Sequence, residues 1–95
     1  MYKRDVVQRV ATETRLSQRV VADVIGASHR LIEETLRSGE AVRFPGFGTF
    51  YPRQRQEGKV RHIRTGRMVT VPARTVARFR AGEILKRAVA GKRRR

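Results

Sequence analysis

The chain has 95 residues, no cysteine, no tryptophan, 39% hydrophobic residues and a formal net charge of +15 at pH 7. That length holds one domain, and the missing thiols exclude a disulfide framework, thiolate–zinc sites and cysteine catalysis. No window approaches the ~18 apolar residues of a membrane span, and the first residues lack a signal peptide's apolar run, so a soluble, intracellular protein is expected.

The first predicted element is a helix over residues 3–14, with Val6, Val7, Val10 and Ala11 on one face. Its N-cap looks poor, because neither Tyr2 nor Arg4 offers a short side-chain acceptor, although Asp5 in the first turn suits the helix dipole. Thr14-Arg15-Leu16 reads as a turn, and Ser17 as the N-cap of a longer helix over about 18–38. Val20, Val21, Val24, Ile25, Leu31, Ile32 and Leu36 follow the 3.6-residue period, and Gly39 falls where a left-handed residue ends a helix. Gly26 and Ala27 would let another helix approach closely. So broad an apolar face, in a chain too short for a sizeable core of its own, predicts a core shared between chains.

From residue 41 the period changes to two. Residues 41–44 and 49–51 read as strands around Pro45-Gly46-Phe47-Gly48, a tight turn. Phe44 and Phe79 are expected in the core. Phe47 and Phe50 are also expected there, with base stacking on exposed rings as the rival reading.

Charge then becomes one-sided. Residues 1–52 hold eight Lys or Arg and six Asp or Glu, a net of +2, whereas residues 53–95 hold fifteen and two, a net of +13. Such a segment repels itself unless a polyanion supplies counter-charge, so nucleic acid is the expected partner, bound chiefly by the second half. Arg53, Arg55, Lys59, Arg61, Arg64, Arg67 and Arg74 are interleaved with polar residues, Thr65-Gly66 marks a turn, and residues 67–72 form a strand with Val69 and Val71 on one face. Two basic strands meeting near 61–66 predict a β-ribbon, which alone is marginal in water and should settle only on a partner. Residues 83–90 form a last helix behind Gly82, with Ile84, Leu85, Ala88 and Val89 expected to face the body and Gly91 to close it. Lys92-Arg93-Arg94-Arg95 is a basic tail, read as a phosphate contact, a solvated terminus or an address signal.

No enzyme is expected: the carboxylates lie mostly on helix surfaces beside basic residues, and no glycine-rich phosphate loop opens a helix after a strand. The two histidines, His29 and His62, are far apart, so no metal site is expected, and no cofactor is implied. His29 reads as surface or interface.

The series Gly46-Phe47-Gly48-Thr49-Phe50, Arg53 and Arg55, Arg61 with Thr65-Gly66, Val71-Pro72-Ala73 and Phe79-Arg80-Ala81-Gly82 resembles the HU/IHF family of bacterial histone-like, DNA-bending proteins, ungapped from Met1 to about Val89. The resemblance implies an α+β fold: an intertwined homodimer with a helical base, a three-stranded antiparallel sheet saddle and a long β-ribbon arm per chain. Within one domain, residues 1–39 would be the helical dimerisation part, 40–81 sheet and arm, 82–91 the C-terminal helix and 92–95 the tail. It also implies arms in the DNA minor groove and a cytoplasmic, nucleoid-associated location. The residues that would contact duplex DNA are Arg53, Arg55, Lys59, Arg61, His62, Ile63, Arg64, Thr65, Arg67, Arg74, Arg78, Arg80 and Lys86.

This chain departs from the family at several points. Arg61-His62-Ile63 stands at the tip where the family usually has Arg-Asn-Pro, whose proline wedges between base pairs. Ile63 is the candidate wedge here; it is apolar, but its N–H would be desolvated in the base stack. Sharp bending therefore stands beside a gentler bend or none. Gly58 and Glu83 replace commonly basic positions, and Ala81 replaces the usual proline. His62 could donate to a base or phosphate, or be a solvated loop residue. The minor groove distinguishes mainly A·T from G·C, so low sequence specificity is expected. Alternatives are a protein that coats or bridges DNA without kinking it, and a basic RNA-binding or ribosome-associated protein.

Overall fold

The first helix is capped in a way that the sequence does not advertise. The Tyr2 N–H donates to Asp5 Oδ2 at 2.7 Å, so a first-turn carboxylate reaches back to the capping residue's backbone instead of the cap reaching forward. This helix, α1, spans Lys3–Thr14 and ends at Arg15, whose φ of 60° is left-handed. The second, α2, spans Gln18–Arg37. Ser17 Oγ accepts the Val20 N–H at 3.1 Å, as the N-cap reading requires. At its other end Gly39 adopts φ +95°, and the Glu40 N–H turns back to the Thr35 carbonyl at 3.1 Å.

The computed structural model describes residues 1–91; the tail at 92–95 lies outside the described residues. Two compact units divide the chain, Met1–Glu34 and the part that begins at Thr35. In the first, Val7, Ala11 and Val21 form a small buried cluster, with Ala22 and Ile25 packed against it. Val6, Val10, Val20, Val24 and Leu31 stay exposed. These exposed side chains belong to the apolar faces that the 3.6-residue period marks.

The second unit is built on β-structure. Strands β1 (Val42–Phe44), β2 (Gly48–Arg55) and β5 (Arg74–Ala81) form an antiparallel sheet in the order β1-β2-β5, while β3 (Gly58–Arg61) and β4 (Met68–Val71) form a separate two-stranded ribbon. Pairing of β2 with β5 is unbroken from Gly48↔Ala81 to Arg55↔Arg74. The ribbon pairs from Gly58↔Val71 to Arg61↔Met68. Between the two ladders, residues 56–57 and 72–73 belong to neither. Pro72 has no N–H to give a ladder, which accounts for an interruption at that point.

A glycine junction ties β1, β2 and the helix α3 (Glu83–Gly91) together. The Phe47 N–H bonds the Phe44 carbonyl at 2.9 Å, with Pro45 and Gly46 between them and Gly46 at φ +84°. Proline followed by a positive-φ residue is the type II pattern, and it selects glycine. The Gly46 carbonyl then accepts the Ile84 and Leu85 N–H groups, each at 3.1 Å, and so caps α3 with backbone. The Gly82 N–H bonds the Phe47 carbonyl at 2.7 Å.

Three expectations need correction. Periodicity does not reveal strand β5, and β2 runs on to Arg55. Phe44, Phe47 and Phe79 are exposed rather than buried, because contact with another ring of the cluster covers only part of each side chain. On α3 only Leu85 is half-buried; Ile84, Ala88 and Val89 are exposed, and Gly91 is the helix's last residue rather than its stop.

A Cβ on Gly82 would meet the Gly46 carbonyl oxygen at 2.5 Å and its carbon at 2.6 Å, all backbone, whereas a Cβ on Gly58 meets nothing within 4 Å. Gly82→Ala should therefore destabilise the fold by about 1–3 kcal/mol. Gly58→Ala should stay within about 0.5 kcal/mol of the parent in the same urea or thermal unfolding experiment.

Candidate nucleic-acid interface

Side chains alternate across a strand, so the register sorts the sheet into two faces. One face carries Val42 and Phe44 from β1, Phe50 and Pro52 from β2, and Ala77, Phe79 and Ala81 from β5. The other carries Arg43, then Thr49, Tyr51, Arg53 and Arg55, then Arg74, Val76, Arg78 and Arg80. The sheet is apolar on one side and cationic on the other.

The aromatic face is internally packed. Phe50 and Phe79 lie 4.8 Å apart between ring centroids, Phe44 meets Phe50 edge-on at 6.3 Å, and Phe47 lies 6.0 Å from Phe79. Phe50 thus points away from the arginines, and the aromatic ring on the cationic side of the sheet is that of Tyr51. On that side Arg80 Cζ lies 4.9 Å over the Tyr51 ring. Tyr51 pairs with Arg78 while Arg80 pairs with Thr49, so this is the diagonal contact expected of an antiparallel ladder, and it holds the guanidinium against the sheet.

The ribbon continues the charge. Lys59 and Arg61 share one face with Met68 and Thr70, while Val60 and Val69 share the other. Beyond them the His62 N–H bonds the Arg67 carbonyl at 2.7 Å, and the Gly66 N–H bonds the His62 carbonyl at 2.8 Å. Gly66 sits at φ +73°, which explains the glycine of Thr65-Gly66. The polar side chains largely serve the turn. His62 Nδ1 lies 3.4 Å from both the N–H and Oγ1 of Thr65, and Thr65 Oγ1 accepts the Arg67 N–H at 3.2 Å. Arg61 folds back to donate to the Gly66 carbonyl at 3.1 Å. Ile63, at the crown, is 97% exposed.

Of the residues singled out in the sequence, Arg53, Arg55, Arg74, Arg78 and Arg80 thus share the cationic sheet face. Lys59, Arg61, His62, Ile63, Arg64, Thr65 and Arg67 belong to the ribbon and its tip. Lys86 lies on α3, in an exposed ion pair with Glu83 at 3.6 Å. Arg43 joins the cationic sheet face without a signal of its own in the sequence. The alternation of residues 41–44 could have placed it opposite Phe44, but only its pairing with Thr49 puts it in the row that contains Arg80. Among the described residues no cluster of His, Asp or Glu could hold a metal ion, and no helix is long and apolar enough to cross a membrane.

A three-stranded sheet with one cationic face, prolonged by a basic hairpin and preceded by two helices, defines a nucleic-acid-binding α+β architecture. Residues 1–90 match the family described as bacterial DNA-binding protein. The DNA-binding protein HU-beta 2 of Neisseria meningitidis is 37% identical over 96% of this chain and 100% of its own length. The HU protein of Streptococcus thermophilus is 38% identical over 92% of this chain and 96% of its own length. Among solved structures, the Anabaena HU–DNA cocrystal superposes with a TM-score of 0.88 at 31% identity, covering 95% of this chain and 98% of that one. A Thermotoga maritima HU variant superposes with a TM-score of 0.71 at 26% identity, covering 94% and 99%. The chain belongs to the HU/IHF family of bacterial DNA-binding proteins.

Gly66→Ala places a Cβ at a positive φ, which costs an L-residue about 1–2 kcal/mol. The strain should appear as faster amide exchange at His62 and Gly66, with protection of the β2–β5 amides unchanged.

Proposed function

We propose that this chain is an architectural DNA-binding protein that grips duplex DNA through phosphate contacts, lays its β-ribbon in the minor groove, and bends and compacts the duplex with little sequence preference. The observation that carries this reading is the sorting of arginines onto one sheet face that runs on into an arginine-rich hairpin. Arg53, Arg55, Arg74, Arg78 and Arg80 are spaced as a field rather than a pocket, which suits a repeating anion better than a small ligand. The Anabaena HU cocrystal contains DNA, and its likeness to this chain supports the same ligand class here.

In this mechanism the sheet and arms neutralise phosphates and release counterions, which supplies affinity without reading bases. Arg64 and the crown of the hairpin enter the narrow groove, where the potential favours guanidinium groups. Ile63 then acts as the wedge that partly unstacks a base step. Arg61 must leave the Gly66 carbonyl, or hold it while presenting its remaining donors. Glu83 competes with phosphate for Lys86, so that contact should be the weaker part of the grip.

The working unit in this reading is a homodimer. Val20, Val24, Leu31, Phe47, Phe79 and Val89 are exposed in the protomer, and a second copy is the partner always present to cover them. A nucleoid-associated, non-enzymatic role follows from the same ligand.

The substitution of Ile63 for the family's usual proline favours one rival, a protein that coats or bridges duplexes without kinking them. End-to-end FRET on a doubly labelled duplex of ~35 base pairs, titrated at two salt concentrations, separates the two. Bending predicts a shortened distance that saturates with binding, and a log–log salt slope of roughly −7 to −11 for ~8–12 neutralised phosphates. Ile63→Ala should reduce the shortening more than the affinity, with Ile63→Pro restoring it. Binding without shortening would establish the coating reading, and equal losses of bending and affinity in Ile63→Ala would remove Ile63 as the wedge. Structured RNA competing as well as duplex DNA of equal length would overturn the choice of ligand.

A further inference from the structure

We infer that Arg43 is a DNA-phosphate contact that carries the cationic surface across β1 to the outer edge of the sheet. The inference rests on the function proposed above and extends its contact surface to a residue that the family resemblance did not point to.

Three observations converge on Arg43. The first is register: Arg43 pairs with Thr49, and Thr49 pairs with Arg80, so the three lie in one cross-strand row on the cationic face. The second is shape. Arg43, Thr49, Arg80, Glu83 and Lys86 line one open groove of about 610 Å³ between the β1 end of the sheet and the start of α3. Three cations face one carboxylate there. Glu83 lies 3.6 Å from Lys86, which leaves Arg43 and Arg80 to set the sign of the groove. The third is cost. Arg43 is exposed on a three-residue edge strand, so its charge is not required to complete a core or a helix end.

The spacing suits a nucleic-acid backbone. Adjacent strands lie about 4.8 Å apart, so Arg43 and Arg80, two strands apart, stand roughly 10 Å apart at the backbone. One DNA strand rises about 3.4 Å per nucleotide, so the pair can serve separate phosphates of one strand. Arg43 therefore adds a contact of its own rather than duplicating that of Arg80. Its part is positional and electrostatic: it widens the surface over which the duplex is held without reading sequence.

The test is the salt dependence of binding to a ~35-base-pair duplex for the full chain and three variants, Arg43→Gln, Arg43→Lys and Arg80→Gln, each checked for an unchanged unfolding midpoint. For Arg43→Gln the slope should become shallower by about 0.9 for each chain bound. Affinity near 0.1 M salt should fall about eightfold for each phosphate left without its arginine, converging with the parent toward about 1 M. Arg43→Lys should restore the parental slope, because counterion release needs the charge; failure to restore it would assign Arg43 a structural role and overturn the inference. A parental slope in Arg43→Gln beside a shallower one in Arg80→Gln would overturn the inference and leave the proposed function standing. Parental slopes in both would take the sheet face out of the DNA interface altogether, and the inference with it.

Discussion

The β2–β5 ladder is the constraint on which the rest of the second unit depends. Its unbroken antiparallel pairing from Gly48 to Arg55 makes the two-residue period of both strands count in the same direction. A slip of one residue in either strand would carry that strand's arginines to the side of Phe50 and its phenylalanine to the side of Tyr51. The separation of charge from aromatic surface is thus a property of register, and the sequence supplies only the alternation. The ladder also delivers both strands of the ribbon side by side, which a hairpin of this composition would not achieve reliably by itself.

At the opposite end of the ladder, register is anchored by backbone. Gly46, Gly48 and Gly82 meet where β1 turns into β2 and β5 turns into α3. A Cβ on Gly48 would overlap the Phe79 ring, and one on Gly82 would overlap the Gly46 carbonyl. That carbonyl in turn caps α3. The motif most diagnostic of the family is therefore a steric device: close approach of three backbones, reachable only without side chains. Its contribution to the cationic surface is indirect, through the placement of Arg80 and Lys86 on either side of the junction.

How much of this is legible in the chain differs by element, for physical reasons. Helix α2 and the hairpin tip are readable because each has a local signature: a long 3.6-residue period ended by Gly39, and a Thr-Gly pair that demands positive φ. Strand β5 is not, because Val76 lies on its cationic face and small residues dominate the other, which blurs the contrast that alternation needs. The cap of α1 escapes notice because Asp5 acts through the backbone of Tyr2, a geometry that inspection of the capping side chain does not expose. The apolar stripe of α3 is evident, but periodicity does not tell how far it is covered: Leu85 is half-buried, whereas Ile84 and Val89 are exposed. Of the candidate site, the cluster is evident from charge alone. Its membership is not: Arg43 joins the row of Arg80 only because Thr49 pairs with each of them, on β1 and on the distant β5.

The interruption between the two ladders has a mechanical consequence. Residues 56–57 and 72–73 join hairpin to sheet without ladder hydrogen bonds, and Pro72 has no N–H to offer a partner strand there. The Arg55 guanidinium reaches the Pro72 carbonyl only at 3.5 Å, too long to lock the joint. The hairpin's angle to the sheet is thus governed by a few backbone torsions in two parallel tethers. The hairpin is therefore joined to the sheet by two short strips of chain, and its direction is set there rather than by a shared ladder.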